Sequence, residues 1–290
     1  MILPYLIHVL IIMGIYIILA TSLNLALGYT GLLNLGHVAF FGIGAYTSAL
    51  LTKEGIPFLI ALLAAGILAS LAGWLLVFAT RKIRGDYLAL ATLGFSFVIY
   101  SLMLNLTNIT RGPLGIPGIP KPNVLGWVVN TGAEYLLFVA IIVAITLFVI
   151  YRIVKSPYGR LLQAVRDDET SVKVLGKDTF KLKREAMMAS AFFAGIAGSL
   201  FAHYITFIDP SSFNMMELIL VFTIVIVGGI ASMRGSFIAA ILLLAIPEAL
   251  RFIELPSSVL GPLRQIIYAV ILLAILMWRP RGIMGKVDLA

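Results

Sequence analysis

The sequence predicts an all-α polytopic membrane protein with about nine transmembrane or broken helices, its N-terminus outside and its C-terminus cytoplasmic. Three observations support this prediction. Of the 290 residues, 61% are hydrophobic and only 12% are charged, whereas soluble domains are about 25% charged. The apolar residues form continuous runs that suit membrane helices, and not the alternating stretches of a membrane barrel. Finally, Lys and Arg collect in loops that fall on one side of the membrane.

Nine apolar runs are expected to span the membrane, because a helix needs about 20 mostly apolar residues to cross the hydrocarbon core. They cover residues 2–27, 31–52, 56–80, 87–110, 135–151, 186–208, 218–233, 235–250 and 266–278. The first run lacks the basic leader of a signal peptide and is too long for its apolar region, so we expect a retained span. The second run is uncharged but rich in glycine, and the last three runs are shorter.

Two connecting segments differ from the short loops between the other runs. Residues 111–133 contain Gly-Pro-Leu-Gly-Ile-Pro-Gly-Ile-Pro, which cannot continue a helix, and they are expected to form an ordered external loop. Residues 152–185 are the only long polar segment and are expected in the cytoplasm. We expect residues 1–290 as a whole to form a single transmembrane domain.

The orientation follows from the positions of the cations. If the loop at residues 81–86 is inside, sixteen of the 21 Lys and Arg residues are inside and five are outside, which is the bias typical of cytoplasmic loops. The inside set comprises Arg81, Lys82, Arg84, Arg234, Arg279, Arg281, Lys286 and nine residues between 152 and 184. The outside set comprises Lys53, Arg111, Lys121, Arg251 and Arg264.

Composition and motifs exclude several classes of function. The chain has no cysteine, and its three histidines, His8, His37 and His203, lie far apart, so we expect no disulfide, iron–sulfur cluster or metal centre. Two Gly-Lys pairs are followed by Asp178 and Val287, where a nucleotide-binding loop needs Ser or Thr. We therefore expect no catalysis and no cofactor bound by this chain.

Transport is the function expected of a chain with this many spans. The net charge of +8 does not indicate nucleic-acid binding, because the cations are divided among loops and do not form one basic face. The first five spans contain no Asp, Glu, Lys or Arg, which argues against an ion relay through the membrane. A stand-alone channel or secondary carrier is the alternative from another class.

Two glycine-rich segments are the candidate translocation path. Their residues are Gly28, Gly31, Asn34, Gly36 and His37 in the first and Gly228 and Gly229 in the second. Glycine weakens a helix by about 0.5–1 kcal/mol relative to alanine, so we expect the helix to break near residues 28–31 and restart. Such a break is tolerated in a bilayer where protein or a water-filled path satisfies the backbone. The alternatives are a tight turn with small-residue packing and, for His37, a packed side chain bonded to a backbone carbonyl.

The polar segment 152–185 is predicted to contain an amphipathic helical hairpin. Its apolar stripe at helical spacing comprises Leu161, Leu162, Val165, Val172 and Leu175. Residues 166–169 are expected to begin the second helix, with carboxylates at its positive end, and Gly176 is expected to end it. Because the chain offers no evident cover for this stripe, we expect a docking element. The alternative is a loop lying on lipid headgroups.

Five stretches together resemble a known family. They are residues 28–46 (GYTGLLNLGHVAFFGIGAY), 84–94 (RGDYLALATLG), 110–120 (TRGPLGIPGIP), 156–176 and 279–283 (RPRGI). In this order they resemble the LivM-type permease subunits of branched-chain amino acid ABC importers, within the LivH/LivM permease family. The stretch 156–176 is similar to the EAA-type loop of that family, whose short helix sits in a cleft of the ATPase. Thr170, Ser171 and Val172 stand where the family often has Glu-Ala-Ala.

The resemblance implies a permease that imports leucine, isoleucine, valine or related amino acids across a prokaryotic inner membrane, with urea or short amides as alternative substrates. It implies a second homologous permease, two ATPase subunits that bind ATP and Mg, and an external solute-binding protein, with membrane lipid around the spans. The ATPase-coupling residues that it implies are Arg160, Arg166, Asp167, Asp168, Glu169, Thr170, Ser171, Lys173 and Gly176.

Overall fold

A computed structural model describes residues 2–83, 85–124, 127–129, 131–250, 257–279 and 281–285. The predictions for Arg84, Arg251, Pro280, Lys286 and the side chain of Arg264 lie outside the described part of the structure. Within it, the chain is mainly helical, with a few two-residue strands.

The helices are numbered in chain order. They are α1 (Ile2–Thr30), α2 (His37–Lys53), α3 (Phe58–Ala79), α4 (Asp86–Asn105), α5 (Thr107–Thr110), α6 (Gly132–Lys155), α7 (Pro157–Asp167), α8 (Glu169–Val174), α9 (Thr179–Ile205), α10 (Met215–Gly228), α11 (Met233–Leu250) and α12 (Ser257–Trp278). Short 3₁₀ helices cover Gly112–Leu114 and Pro210–Phe213. The strands are β1 (Ile116–Pro117), β2 (Asn123–Val124), β3 (Trp127–Val128) and β4 (Phe207–Ile208).

Six described stretches are long and apolar enough to cross a membrane. They are Leu3–Thr30, Phe58–Ala79, Asp86–Asn105, Gly132–Lys155, Thr179–Ile205 and Pro210–Gly228. The prediction of an all-α polytopic membrane protein is therefore confirmed. The other three predicted runs fall on α2, which has 17 residues, and on α11 and α12, whose apolar parts are Met233–Ile246 and Gln265–Trp278. The number of nine crossings and the orientation stay predictions.

Two helices begin before their apolar runs because a capping side chain starts them. The Thr131 hydroxyl accepts a hydrogen bond from the Glu134 N–H, and the Glu134 carboxylate accepts one from the Thr131 N–H, so α6 begins at Gly132. The Asp178 carboxylate accepts from the Lys181 N–H, so α9 begins seven residues before its apolar run. The end of the polar segment 152–185 is thus the start of α9. Hydropathy therefore predicts which part of a helix lies in lipid, but it does not predict the residues at which the helix begins and ends.

Helix α1 lies at the centre of the bundle. It contacts α6, α9, α10 and α11, and its side chains Ile11, Ile15, Ile18, Leu19 and Leu23 are fully buried. A helix that is apolar on nearly every side is the one expected at the centre of such a bundle.

Small residues let α2, α3 and α9 approach closely. A Cβ atom on Gly44 would lie 2.2 Å from the carbonyl oxygen of Gly195, and a Cβ atom on Gly195 would lie 2.6 Å from the carbonyl oxygen of Ala65. Gly198 meets the backbone of Phe41 in the same way. Helices in lipid associate through such close packing, because lipid supplies no hydrophobic drive between them. The small-residue packing considered above therefore describes the body of α2.

The connecting segments gather at the two ends of α1. At its N-terminal end, the loop end, β1 pairs with β4 so that Ile116 lies opposite Ile208. There the Lys53 ammonium also donates a hydrogen bond to the Pro117 carbonyl oxygen at 3.1 Å. At its C-terminal end, the hairpin end, lie α7, α8 and the turn between α10 and α11. The described part of the loop 111–133 is thus at the opposite end of the bundle from the polar segment, as predicted from the alternation of spans.

We expect a cysteine at Lys177 to be labelled only from the cytoplasm and a cysteine at Lys121 only from outside. Lys177 follows α8 at the hairpin end, Lys121 lies between β1 and β2 at the loop end, and the cation bias puts the hairpin end inside. The chain has no native cysteine, so each variant gives one signal with a membrane-impermeant thiol reagent, applied before and after permeabilisation of the cells. Labelling of both positions from the same side would contradict this orientation.

Candidate functional site

A non-helical stretch, residues 31–36, re-enters the bundle from the hairpin end and is named the re-entrant segment. Gly31 follows the last residue of α1 and has φ +71°, a conformation that favours glycine. The chain becomes helical again at His37, whose Nε2 atom lies 3.1 Å from the Leu19 carbonyl oxygen and 2.9 Å from the Ser22 hydroxyl. Because each helical residue rises about 1.5 Å, His37 lies about 12–16 Å inside the bundle from the end of α1. The predicted helix break is confirmed.

Two side chains satisfy the backbone of the re-entrant segment. The Thr92 hydroxyl of α4 accepts a hydrogen bond from the Leu35 N–H at 2.9 Å, and its own proton is shared between the Ala89 carbonyl oxygen at 2.9 Å and the Leu33 carbonyl oxygen at 3.3 Å. The Asn34 side-chain oxygen accepts from the Gly36 N–H at 3.0 Å. Thr92 and Asn34 are fully buried, and unpaired backbone groups are costly in lipid, so these two side chains hold the segment. Sequence analysis missed Thr92, although its hydroxyl stands out within an apolar run.

Gly36 brings the re-entrant segment against α4. A Cβ atom on Gly36 would lie 2.7 Å from the Thr92 carbonyl oxygen and 3.3 Å from the Phe95 ring, so a larger residue must push α4 away. His37 is fully buried, and its contact with the Leu19 carbonyl matches the alternative of a packed histidine. Its Nδ1 atom has no hydrogen-bond partner in the described structure.

A buried asparagine in α1 holds the turn between α10 and α11. The Asn24 amide nitrogen donates to the Ser236 hydroxyl at 2.6 Å and to the Ser232 carbonyl oxygen at 3.2 Å, and its side-chain oxygen accepts from the Ala231 N–H at 3.0 Å. Gly28 permits this contact, because a Cβ atom there would lie 2.5 Å from the Ala231 nitrogen. Sequence analysis missed Asn24, whose signal is an amide within an uncharged span.

The second glycine-rich segment forms a close turn against the first. A Cβ atom on Gly228 would lie 2.5 Å from the carbonyl carbon of Gly235, and Gly229 has φ +104°. The two segments meet where Gly28 faces Ala231. The structure therefore brings both predicted segments together at the hairpin end of the bundle.

The hairpin of α7 and α8 forms as predicted, with one correction. Arg166 and Asp167 end α7 and do not begin the second helix, which starts at Glu169. Asp168 is its N-cap, and its carboxylate accepts a hydrogen bond from the Thr170 N–H at 2.8 Å. An N-cap residue must leave helical geometry, and Asp168 is extended at φ −153°, so the boundary between the helices falls there.

The two carboxyl groups at the start of α8 are held in the ionised state. The hydroxyl and backbone N–H of Ser171 lower the pKa of Asp168. Partial burial raises the pKa of Glu169, but hydrogen bonds from Lys183 and Lys173 outweigh burial and lower this pKa to about 2. The Glu169 carboxylate lies 2.7 Å from the Lys183 Nζ atom and 2.9 Å from the Lys173 Nζ atom. Helix α8 is therefore fastened to the first turns of α9 at neutral pH.

The hairpin buries most of its predicted stripe and exposes its tip. Leu162, Val165 and Val172 pack against the first turns of α9 and are at most 4% exposed. The expectation that the chain leaves this stripe uncovered is wrong for these three residues, because α9 begins early enough to cover them. Val174, which sequence analysis missed, is instead 82% exposed, and Leu175 is 76% exposed.

The other predicted coupling residues lie at this tip or on the exposed surface of the hairpin. Gly176 ends α8 as predicted, with φ +74° and no atom within 4 Å of the position that a Cβ would take. Arg160 is exposed on α7, and Thr170, Ser171 and Lys173 are exposed on α8.

Arg166 links the hairpin to α1. Its Nη1 atom donates to the Gly28 carbonyl oxygen at 2.8 Å, and its guanidinium pairs with Asp167 at 2.7 Å. The last carbonyls of a helix lack partners within it, so Arg166 caps α1. Its side chain also covers Gly31, because a Cβ atom there would lie 3.0 Å from the Arg166 Cγ atom. A cavity of about 280 Å³ opens between the hairpin, the re-entrant segment and the adjoining ends of α3 and α4.

The chain is similar to known proteins along most of its length. The sequence pattern of a family described as the branched-chain amino acid transport system permease component matches residues 5–276. The chain belongs to this family. The permease is 39% identical to the high-affinity branched-chain amino acid transport system permease protein LivM of Escherichia coli, over 93% of its own length and 68% of that protein.

More distant relatives cover the same length. The permease is 28% identical to the LivH permease protein of Escherichia coli, over 93% of its own length and 91% of that protein. It is 26% identical to a probable LivM permease protein of Methanocaldococcus jannaschii, over 94% and 91% of the two chains. No solved structure matches the permease. These relatives and the six apolar helices identify a transport subunit and a multi-pass protein of the prokaryotic inner membrane.

We expect Asn24→Ala to destabilise the permease by about 1–3 kcal/mol, because it leaves the buried Ala231 N–H without its partner. The midpoint of thermal unfolding in detergent, measured by circular dichroism, should fall by several degrees. Asn105→Ala is the matched control, because Asn105 is exposed and its amide bonds to Ser101 one turn away. Equal shifts in the two variants would contradict the role assigned to Asn24.

Proposed function

We propose that this permease is one half of the membrane channel of an ATP-driven importer of branched-chain amino acids, with separate ATPase subunits docked on the hairpin of α7 and α8. The observation that carries the proposal is the hairpin tip. It exposes Val174 and Leu175 at the end of α8, which is fastened to α9, and the preceding α7 is joined through Arg166 to the end of α1 beside the re-entrant segment. The family description and the names of the relatives support the substrate class.

The exposure pattern of the hairpin favours a protein partner over the lipid surface. A helix that lies on headgroups buries a broad apolar face in them, but here that face is covered by α9. What remains exposed is a small apolar tip beside charged and polar groups, including Asp168, Lys173 and Lys177. Exposed large apolar groups surrounded by polar residues are typical of contacts with another protein.

A short series of contacts connects the hairpin to α4. Arg166 holds the Gly28 carbonyl and covers Gly31, which begins the re-entrant segment. The far end of that segment contacts Thr92 of α4 through Leu35. Of the apolar part of α4, 11% is buried, against 33% or more in the other five apolar stretches. We infer that α4 is the helix most free to respond when the hairpin moves.

The proposed partners are a second homologous permease, two ABC ATPase subunits and a solute-binding protein at the loop end. The existence of LivM and LivH relatives that both resemble this chain supports a pair of permeases. ATP and Mg belong to the ATPase subunits in this proposal, and we expect the chain itself to bind neither, nor any metal or other cofactor. Urea or short amides are the alternative substrates. If uptake needs neither ATP nor the ATPase subunits, the alternative of a stand-alone channel or carrier replaces the proposal.

We expect Leu175→Asp to weaken association with the ATPase subunits by about tenfold, because a charge replaces an apolar group at the centre of the proposed contact. The measurement is co-purification of the ATPase subunits with tagged permease from membranes. Leu114→Asp is the matched control, because Leu114 is 75% exposed but lies at the loop end. Undiminished ATPase association of Leu175→Asp would show that docking occurs elsewhere.

We expect Gly36→Leu to lower the rate of leucine uptake by about tenfold, because overpacking at this contact forces α4 away from the re-entrant segment. Uptake is measured in vesicles that contain the assembled importer, at equal permease abundance and equal ATPase association. Ala144→Leu, on the exposed side of α6, is the matched control and should transport normally. Equal uptake by Gly36→Leu and the wild type would favour static packing at this glycine.

A further inference from the structure

We propose that the exposed face of α4 lines the translocation path, and that a cavity between α4 and the start of α10 receives the aliphatic side chain of the substrate. The identity of the occupant rests on the proposed function. The position of the path rests on the structure of α4 and its surroundings.

The exposed face of α4 carries small and polar residues among apolar ones such as Leu90, Phe97 and Val98. Tyr87, Gly94 and Ser101 are exposed, and their spacing of seven residues puts them on one line along the helix. Asn105 is exposed beside that line. On α3, by contrast, every exposed residue is apolar, and the same holds for residues 135–149 of α6. Polar side chains are costly against lipid and mark paths and protein contacts, so the exposed polar groups of α4 favour a path there, whereas the exposed faces of α3 and α6 suit lipid throughout.

A cavity of about 200 Å³ flanks this face. Its α4 wall comprises Leu93, Ser96, Phe97 and Tyr100, and Phe213 and Leu218 contribute to the opposite wall. Phe97 is also 54% exposed, so the cavity adjoins the exposed face. The volume equals that of roughly seven water molecules in the liquid, which is ample for a branched side chain of four carbon atoms.

The chemistry of the cavity fits a neutral, branched aliphatic group. Its lining is mostly apolar and contains no charged residue, which is the usual character of a small-molecule pocket with a few polar groups. Two of those polar groups, the hydroxyls of Ser96 and Tyr100, have no hydrogen-bond partner in the described structure. They can therefore bond to the ammonium or carboxylate of an amino acid whose charged end stays in the water-filled path.

The contact with the re-entrant segment favours a path over a fixed interface with another helix. Thr92, on the opposite side of α4 from this face, bonds to the segment that Arg166 covers at its other end. A shift of that segment would change how far α4 leans into the path. An interface sealed by another helix would instead restrain α4 on both sides.

The test uses single cysteines, because the chain has none of its own. Ser101→Cys and Ser96→Cys are placed in the assembled importer in vesicles and treated with a negatively charged methanethiosulfonate. Ala144→Cys, near the middle of α6 and exposed on its apolar side, is the matched control. We expect both α4 cysteines to react at least about tenfold faster than the control, because a thiolate and a charged reagent are strongly disfavoured in hydrocarbon.

Substrate protection separates the cavity from the rest of the path. Leucine, supplied with the solute-binding protein and ATP, should slow the labelling of Ser96→Cys more than that of Ser101→Cys. If Ser101→Cys reacts no faster than Ala144→Cys, lipid or another helix covers the face and the path is refuted. If both α4 cysteines react but leucine gives no protection, the cavity assignment is refuted. If the two α4 cysteines react in an importer that takes up no branched-chain amino acid, the position of the path is supported and the proposed substrate class is refuted.

Filling the cavity gives a second readout. We expect Ser96→Phe to reduce leucine uptake by about tenfold at equal permease abundance and equal ATPase association, since the new ring occupies the space of the substrate side chain. Ala144→Phe adds the same volume on the lipid side of α6 and should transport normally. Wild-type uptake by Ser96→Phe would overturn the cavity assignment.

Discussion

The fold depends on the requirement that every backbone N–H and C=O inside a bilayer find a partner within the protein. The long helices meet this requirement by themselves. The re-entrant segment does not, and Thr92 and Asn34 bond to its backbone at the depth where α2 begins. The interruption in the bundle is thus stable because α4 supplies one of these partners. The least buried of the apolar stretches is attached directly to the break.

A few buried polar side chains decide which parts of the chain meet at the hairpin end. Asn24 bonds to residues more than 200 positions away in the turn between α10 and α11. Arg166 bonds to the Gly28 carbonyl, 138 positions away. Because lipid provides no hydrophobic drive between helices, such hydrogen bonds and close glycine contacts are what select the neighbours of each helix. They also join the proposed ATPase contact to both glycine-rich segments.

The hairpin of α7 and α8 shows which structural features the spacing of residues predicts and which it does not. Spacing correctly predicted two short helices, carboxylates at the start of the second one and its end at Gly176. The same spacing assigned Arg166 and Asp167 to the second helix, whereas they end the first. The reason is that charged residues occur both before and after an N-cap residue. The spacing also left the stripe without cover, because periodicity identifies an apolar face but not the element that packs on it. That element is the start of α9, which is polar in sequence and follows the hairpin directly.

The sequence by itself determined the membrane class, the long apolar helices, the break after α1 and the permease family. Each depends on local chemistry: apolar length, glycine content and motifs that stay together along the chain. Only the tertiary structure decided that Asn24, Thr92 and Val174 matter, that Arg166 reaches the break, and that α4 exposes polar residues beside its apolar ones whereas α3 exposes only apolar ones. The reason is that a buried hydrogen bond or an exposed face belongs to a pair of elements distant in sequence, and no local pattern records its partner.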